Sequence, residues 1–122
     1  MKVGENMMLG KHTLADIYDI ENDCLDDIEQ IKDIILESCK ESNLHVVEFT
    51  FHKFEPYGLS GIFVLKESHI AIHTWPEYKF ASVDVFTCGT MANPTEACNK
   101  IVNKLQSKNV VIKEFDRGQI NK

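Results

Sequence analysis

The stretch "LKESHIAIHTW", Leu65–Trp75, decides the fold. Its apolar residues alternate as in a half-buried strand, yet Glu67, Ser68 and His69 sit at its centre and His73 follows close behind. Leu65, Glu67, His69, Ala71, His73 and Trp75 share one face only if the strand is continuous. A turn between Glu67 and Ser68 breaks that count. It leaves two short strands, "IFVLK" (Ile62–Lys66) and "HIAIHTW" (His69–Trp75), joined by a polar corner. Serine in "KESH" has the composition of a turn.

Upstream, "HVVEFTFHKF" (His45–Phe54) reads as a strand. Val47, Phe49, Phe51 and Lys53 fall on one face, with Val46, Glu48, Thr50, His52 and Phe54 on the other. "EPYGLSG" (Glu55–Gly61) is a turn signal, with Ser60 inside it. Downstream, "PEYK" is a second turn that makes Glu77 a solvated loop acid by default. "FASVDVFTCG" (Phe80–Gly89) is rich in β-branched and aromatic residues and reads as a strand. Nearer the N-terminus, "TLADIYDI" (Thr13–Ile20) reads as an edge strand.

"ENDCLDDIEQIKDIILESCKES" follows as a helix capped by Asn22 or Asp23, with an apolar stripe of Cys24, Ile28, Ile31, Ile35 and Cys39. "NPTEACNKIVNKLQSK" is a second helix, capped by Asn93 with Pro94 in its first position. "NVVIKEF" (Asn109–Phe115) closes as a strand. The order β-α-β-β-β-β-α-β, with short turns between the middle strands, predicts an α+β fold. It is a two-layer sandwich: a mainly antiparallel sheet with two helices on one face. Nothing in the chain covers the other face, and strands such as "VVEFTF" carry apolar residues on both sides. A second copy is therefore expected there, giving a homo-oligomer.

The chain has 122 residues, suited to a single domain spanning 1–122. Its net charge of -6 argues against nucleic acid, whose phosphates call for a basic surface. No apolar run is long enough to span a membrane, and the N-terminus lacks the features of a signal peptide, so a cytoplasmic location is expected. The cysteines, 24, 39, 88 and 98, form no CxxC pair. Spacing of His69 and His73 would suit a metal on a helix, not a strand, and no third ligand is evident, so no metal is expected. Cys88 ends a strand beside Gly89, where a small buried residue or a functional thiol are both open readings.

Taken together, these segments carry a resemblance. "ESHIAIHTWPEYKFASVDVFTCG" (Glu67–Gly89) looks like the signature region of the short prokaryotic class of pyruvoyl-dependent S-adenosylmethionine decarboxylase proenzymes. "FHKFEPYGLSG" (Phe51–Gly61), "GKH" near the start and Arg117–Gly118 near the end resemble the same family. One departure is Lys79–Phe80 after "PEY", where members often have Gly-Tyr.

The resemblance implies self-cleavage between Glu67 and Ser68 into a β chain, 1–67, and an α chain, 68–122. Ser68 would attack the Glu67 carbonyl in an N-to-O acyl shift, and elimination would turn it into a covalent pyruvoyl cofactor. The carbonyl of that group would form a Schiff base with the amine of S-adenosylmethionine and act as electron sink for loss of CO2. By the same match, His73 acts in processing by removing the α-proton, Ser60 assists it, and Cys88 is the proton donor in decarboxylation. Phe54 and Trp75 would stack on the adenosyl end, and Glu77 would accept hydrogen bonds from the ribose. A homodimer of αβ units is implied, with active sites near the interface. The alternatives are a pyruvoyl arginine or ornithine decarboxylase of the same fold, and a regulatory homologue that does not cleave. His69 is assigned no chemical step.

Overall fold

Alternation of side chains settles how the opening stretch is arranged. In a computed structural model, which describes residues 6–89 and 93–121, the stretch is two antiparallel strands joined at Lys66–Glu67. The N-terminal residues 1–5, read above for a leader sequence, lie outside the described residues. In chain order the elements are β1 (Asn6–Tyr18), α1 (Ile28–Glu41), β2 (Val46–Lys53), β3 (Leu59–Leu65), β4 (Ser68–Trp75), β5 (Phe80–Cys88), α2 (Pro94–Lys104) and β6 (Asn109–Asn121). A single turn of 3₁₀ helix, Pro76–Tyr78, separates β4 from β5. The strands form one sheet in the order β2-β3-β4-β5-β1-β6, and every neighbouring pair is antiparallel.

One face of this sheet is the core. Ile70 and Ile72 of β4, Val83 and Val85 of β5, Phe63 of β3 and Ile17 of β1 are fully buried there. They pack with Ile31 and Ile35 of α1 and with Ala97 and Ile101 of α2. Burying one such aliphatic side chain stabilises the fold by about 2 kcal/mol, so the period-two pattern of the strands and the period-four stripe of the helices select the same arrangement. The alternate positions, including Ser60, Ile62, Val64, His69, His73 and Trp75, lie on the other face, where Ile62, Val64 and Trp75 stay exposed.

Three local expectations change. β1 is not at an edge: it lies between β5 and β6, because the closing strand runs on past Phe115 to Asn121 and pairs along its length. α1 starts later than its acidic prelude suggests. Asp27 caps it, accepting from the Gln30 N–H at 3.1 Å while the Gln30 side chain returns a bond of 2.9 Å to the same carboxylate. Cys24 is therefore buried in a turn ahead of the helix, and Asn22 instead donates to the Lys104 carbonyl at the end of α2. In β2 the register shifts between Val46 and Glu48, so Val46 joins Phe51 against the core despite opposite parity. α2 is capped as read, with Asn93 accepting from Glu96 N–H and Pro94 following it.

Thr74 ties three segments together below the sheet's end. It is buried; its hydroxyl donates to the Leu25 carbonyl at 2.6 Å and accepts from the Leu59 N–H at 3.0 Å. Valine has nearly the same shape and neither capacity. Thr74→Val is expected to destabilise the protein by about 2 kcal/mol in urea unfolding, because a buried carbonyl and a buried N–H lose their partner together.

Candidate active site

The first cluster forms where β3 hands over to β4. Lys66 and Glu67 make the corner and Ser68 opens β4 with φ 155°, a conformation that L-residues rarely adopt. The carbonyl oxygen of Glu67 accepts the backbone N–H of Cys88 at 2.8 Å, one ladder step beyond the Ser68–Thr87 pair. The Cys88 thiol donates to the same oxygen at 2.8 Å and lies 3.4 Å from the Ser68 hydroxyl. Two donors from one residue thus point at a single carbonyl, with a hydroxyl next to it.

The Glu67 side chain turns the other way. Its carboxylate accepts the His45 backbone N–H at 3.0 Å and the His45 Nδ1–H at 2.7 Å. Partial burial pushes the Glu67 carboxyl up, but the hydrogen bonds from His45 outweigh it and hold the group below the ordinary carboxylate value.

A second cluster forms at the far end of β4. Ser60 and His73 are cross-strand partners on β3 and β4, and the Ser60 hydroxyl lies 2.7 Å from His73 Nδ1. Ser60 belongs to β3 rather than to the turn before it. Trp75 ends β4 with 40% of its surface exposed and packs against Phe80, ring centroids 5.4 Å apart. Phe54, just past β2, is also exposed, as is Glu77 in the 3₁₀ turn.

The two clusters are not brought together within one chain. Ser68 and His73 are five residues apart on one extended strand, which at about 3.3 Å per residue is about 16 Å. Trp75 is further still. Between the clusters, a row of cross-strand neighbours runs over the open face through His69, Phe86 and His12. His69 packs edge-on to His12 at 6.1 Å and against Phe86 at 5.7 Å. Arg117 lies over the Phe86 ring and donates to His12 Nδ1 at 3.0 Å. That bond leaves the His12 proton on Nε2, which is buried without a partner. Burial pushes the His12 imidazole down; Asp84 opposes this, and the charges of Arg117 and His69 add to it. Gly10 makes room for this row, since a Cβ there would lie 2.8 Å from the Phe86 ring.

His45 was not legible as a site residue. In the sequence it is the first polar residue of a strand, and only the fold carries it to the Lys66–Glu67 corner. His12 and Arg117 had a faint signal in "GKH" and the Arg117–Gly118 pair. Among the described residues, no group of three or more His, Cys, Asp or Glu is placed to hold a metal ion, and no helix is long and apolar enough to cross a membrane.

The fold is an antiparallel α+β sheet with a serine at a strained strand start, its preceding carbonyl held by two donors. Comparison with known proteins places the chain in a family. A family model described as S-adenosylmethionine decarboxylase matches residues 11–118. An S-adenosylmethionine decarboxylase proenzyme from Thermoanaerobacter sp. (strain X514) is 47% identical over 114 residues, 93% of this chain and 92% of that one. Another, from Clostridium tetani, is 48% identical over 110 residues, 90% of this chain and 87% of the other. The crystal structure of the adenosylmethionine decarboxylase from Aquifex aeolicus superposes with a TM-score of 0.84 at 37% identity, covering 91% of this chain and 92% of that one. The chain belongs to the S-adenosylmethionine decarboxylase family.

Cys88 also differs from the other cysteines in accessibility. It is exposed, whereas Cys24, Cys39 and Cys98 are buried. Desolvation pushes the thiols of Cys24 to about 11, Cys39 to about 12 and Cys98 to about 12. Iodoacetamide at pH 8 is expected to alkylate Cys88 alone in the native protein and all four cysteines after denaturation, as read by peptide mass.

Proposed function

We propose that this protein is a self-processing, pyruvoyl-dependent S-adenosylmethionine decarboxylase. It would release CO2 and form decarboxylated S-adenosylmethionine, the aminopropyl donor for spermidine. The observation that carries the reading is the Glu67 carbonyl, held by the Cys88 N–H at 2.8 Å beside the Ser68 hydroxyl, in a chain whose relatives are named as proenzymes.

The processing chemistry follows from that contact. Ser68 Oγ attacks the Glu67 carbonyl carbon, and negative charge builds on the oxygen that Cys88 already holds. A fixed donor at such an oxygen is worth about 3 kcal/mol of barrier. The C–N bond then breaks, the hydroxyl proton passes to the new amine, and an ester joins Glu67 to Ser68 Oγ. Removal of the Ser68 α-proton expels Glu67 as a carboxylate and leaves dehydroalanine, which water converts to pyruvoyl with release of ammonia. His73 suits the proton removal: with Nδ1–H donating to Ser60 Oγ, Nε2 presents its lone pair.

A group made from Ser68 fits its surroundings, because the residue is already first in its strand and the Cys88 thiol lies beside it. When present, the pyruvoyl carbonyl supplies the electron sink that decarboxylation needs. The Cys88 thiol, released from Glu67 once the chain is cut, is free to return a proton to the substrate carbon. Phe54 and Trp75 offer aromatic faces to an adenine or a sulfonium, and Glu77 a carboxylate to ribose hydroxyls.

Distance favours a second copy. His73 lies about 16 Å along β4 from the serine it would serve. Two sheets packed through their open faces, with strands antiparallel across a two-fold axis, would carry Ser60 and His73 of the partner subunit toward the Ser68–Cys88 corner. The same packing covers Ile62, Val64 and Trp75, which one chain leaves exposed. The reading is therefore a homodimer of αβ units with two composite sites.

Intact mass under denaturing conditions is expected to show fragments split between Glu67 and Ser68, with a keto-blocked C-terminal piece; a lasting 14.0 kDa species would sink the reading. Cleaved protein should release CO2 from S-adenosylmethionine and not from arginine or ornithine. Cys88→Ala keeps the backbone donor and loses the thiol. It is expected to cleave about tenfold more slowly and, once cleaved, to turn over at least a hundredfold more slowly. Ser68→Ala and His73→Ala chains should each stay whole alone. When co-expressed, the His73→Ala chain should be cut, since the Ser68→Ala partner lends it an imidazole. Absence of cutting in verified heterodimers would rule out a composite site.

A further inference from the structure

The corner that carries Ser68 is gripped from both sides, and only one side belongs to the machinery above. On the β5 side, Cys88 N–H holds the Glu67 carbonyl. On the β2 side, His45 makes three contacts with the two corner residues. Its carbonyl accepts the Lys66 N–H at 2.9 Å, its N–H donates to Glu67 Oε1 at 3.0 Å, and its Nδ1 lies 2.7 Å from Oε2. The first of these extends the β2–β3 ladder one step past the Val46–Leu65 pair; the other two go to the Glu67 side chain.

His45 is itself firmly placed. The preceding Leu44 is buried in the core, and its N–H donates to the Cys39 carbonyl at 2.9 Å, closing the end of α1. The helix end, the core and the sheet edge thus fix the backbone of His45, whose imidazole reaches the Glu67 carboxylate.

We infer that His45 is a positioning residue for self-cleavage: by fixing the Lys66 backbone and the Glu67 side chain, it aims the Glu67 carbonyl at the Cys88 donor. The inference rests on the reading that the chain cuts itself after Glu67. Lys66 and Glu67 form the whole of a two-residue corner, so the Glu67 carbonyl can swing unless both its flanks are held. Cys88 holds the oxygen and His45 holds everything before it. Acyl transfer is sensitive to such aim, since a displacement of about 1 Å can lower a rate about a hundredfold. The His45 and Glu67 side chains are 59% and 21% exposed, and partly exposed pairs of this kind add little to stability. Replacing His45 should therefore slow the cut without unfolding the protein.

The experiment follows newly translated full-length chain by time-resolved electrophoresis. His45→Ala is expected to cut at least tenfold more slowly than wild type. His45→Asn, whose amide can donate to the Glu67 carboxylate, is expected to recover most of that loss. Hydroxylamine, which cleaves an ester and spares an amide, should release less fragment from His45→Ala, assigning the defect to the acyl shift. Melting temperatures of His45→Ala and His45→Asn, each combined with Ser68→Ala to keep the chains whole, are expected to match that of Ser68→Ala alone. Equal rates for wild type and His45→Ala overturn the inference and leave the processing reading intact. Equal slowing in His45→Ala and His45→Asn with a lowered melting temperature overturns it as well, by making the residue merely structural. A wild-type chain that never cuts overturns the processing reading and the inference with it.

Discussion

A six-stranded sheet has two faces, and among the described residues there are helices for only one. That constraint orders the rest of the structure. Beneath α1 and α2, alternate strand residues are mostly apolar, because a buried polar group without a partner is costly; Thr87, whose buried hydroxyl has no partner, is an exception. Above, the opposite residues carry no such restriction. β4 shows both rules in eight residues: Ile70, Ile72 and Thr74 point into the core, while His69, His73 and Trp75 lie on the open side. Histidines in an otherwise apolar strand are thus consistent with its burial, since they occupy the face that the helices leave alone. Thr74, a buried polar residue of β4, is there with both hydrogen-bonding capacities satisfied.

Much of this was legible in the sequence, and the reasons differ by segment. The inward positions of β3, β4 and β5 keep strict parity, so these strands could be read from alternation, while apolar residues on both sides left open which face the helices cover. α2 begins with Asn-Pro, a cap and a rigid first residue, and its start was correct to the residue. α1 was harder. "ENDCLDD" offers several acids able to cap, and Asp27 prevails because Gln30 bonds to it twice, a choice that local composition does not rank. The bulge at Val46–Glu48 was invisible for a similar reason: a register shift is decided by the partner strand. β1 looked like an edge because its true neighbour, β6, starts more than ninety residues later.

The residues proposed for the site could be named from the sequence, and their arrangement could not. Residue types at 60, 67, 68, 73 and 88 pointed to acyl chemistry only through a family resemblance, and nothing in their spacing tells which of them meet. Strand geometry does. An extended chain cannot fold His73 back onto Ser68, whereas the antiparallel neighbour β5 brings Cys88 to Ser68 from twenty residues away. A ladder therefore joins what is distant in sequence and separates what is near. His45 illustrates the same rule: it is remote from the corner in sequence, and β2 delivers it there.

The position of the corner has a consequence for the molecularity of folding. β3 and β4 each have a second partner, β2 and β5, so a break between Glu67 and Ser68 would leave both strands bonded in the sheet. The native contacts would survive, while the event that forms them would change. An intact chain closes the β3–β4 pair across two residues, at little entropic cost and independently of concentration. A cut chain would have to find its other half by diffusion, and its melting point would rise with protein concentration. Such a protein would fold as one molecule and unfold as two, and its durability once processed would depend on how slowly it opens.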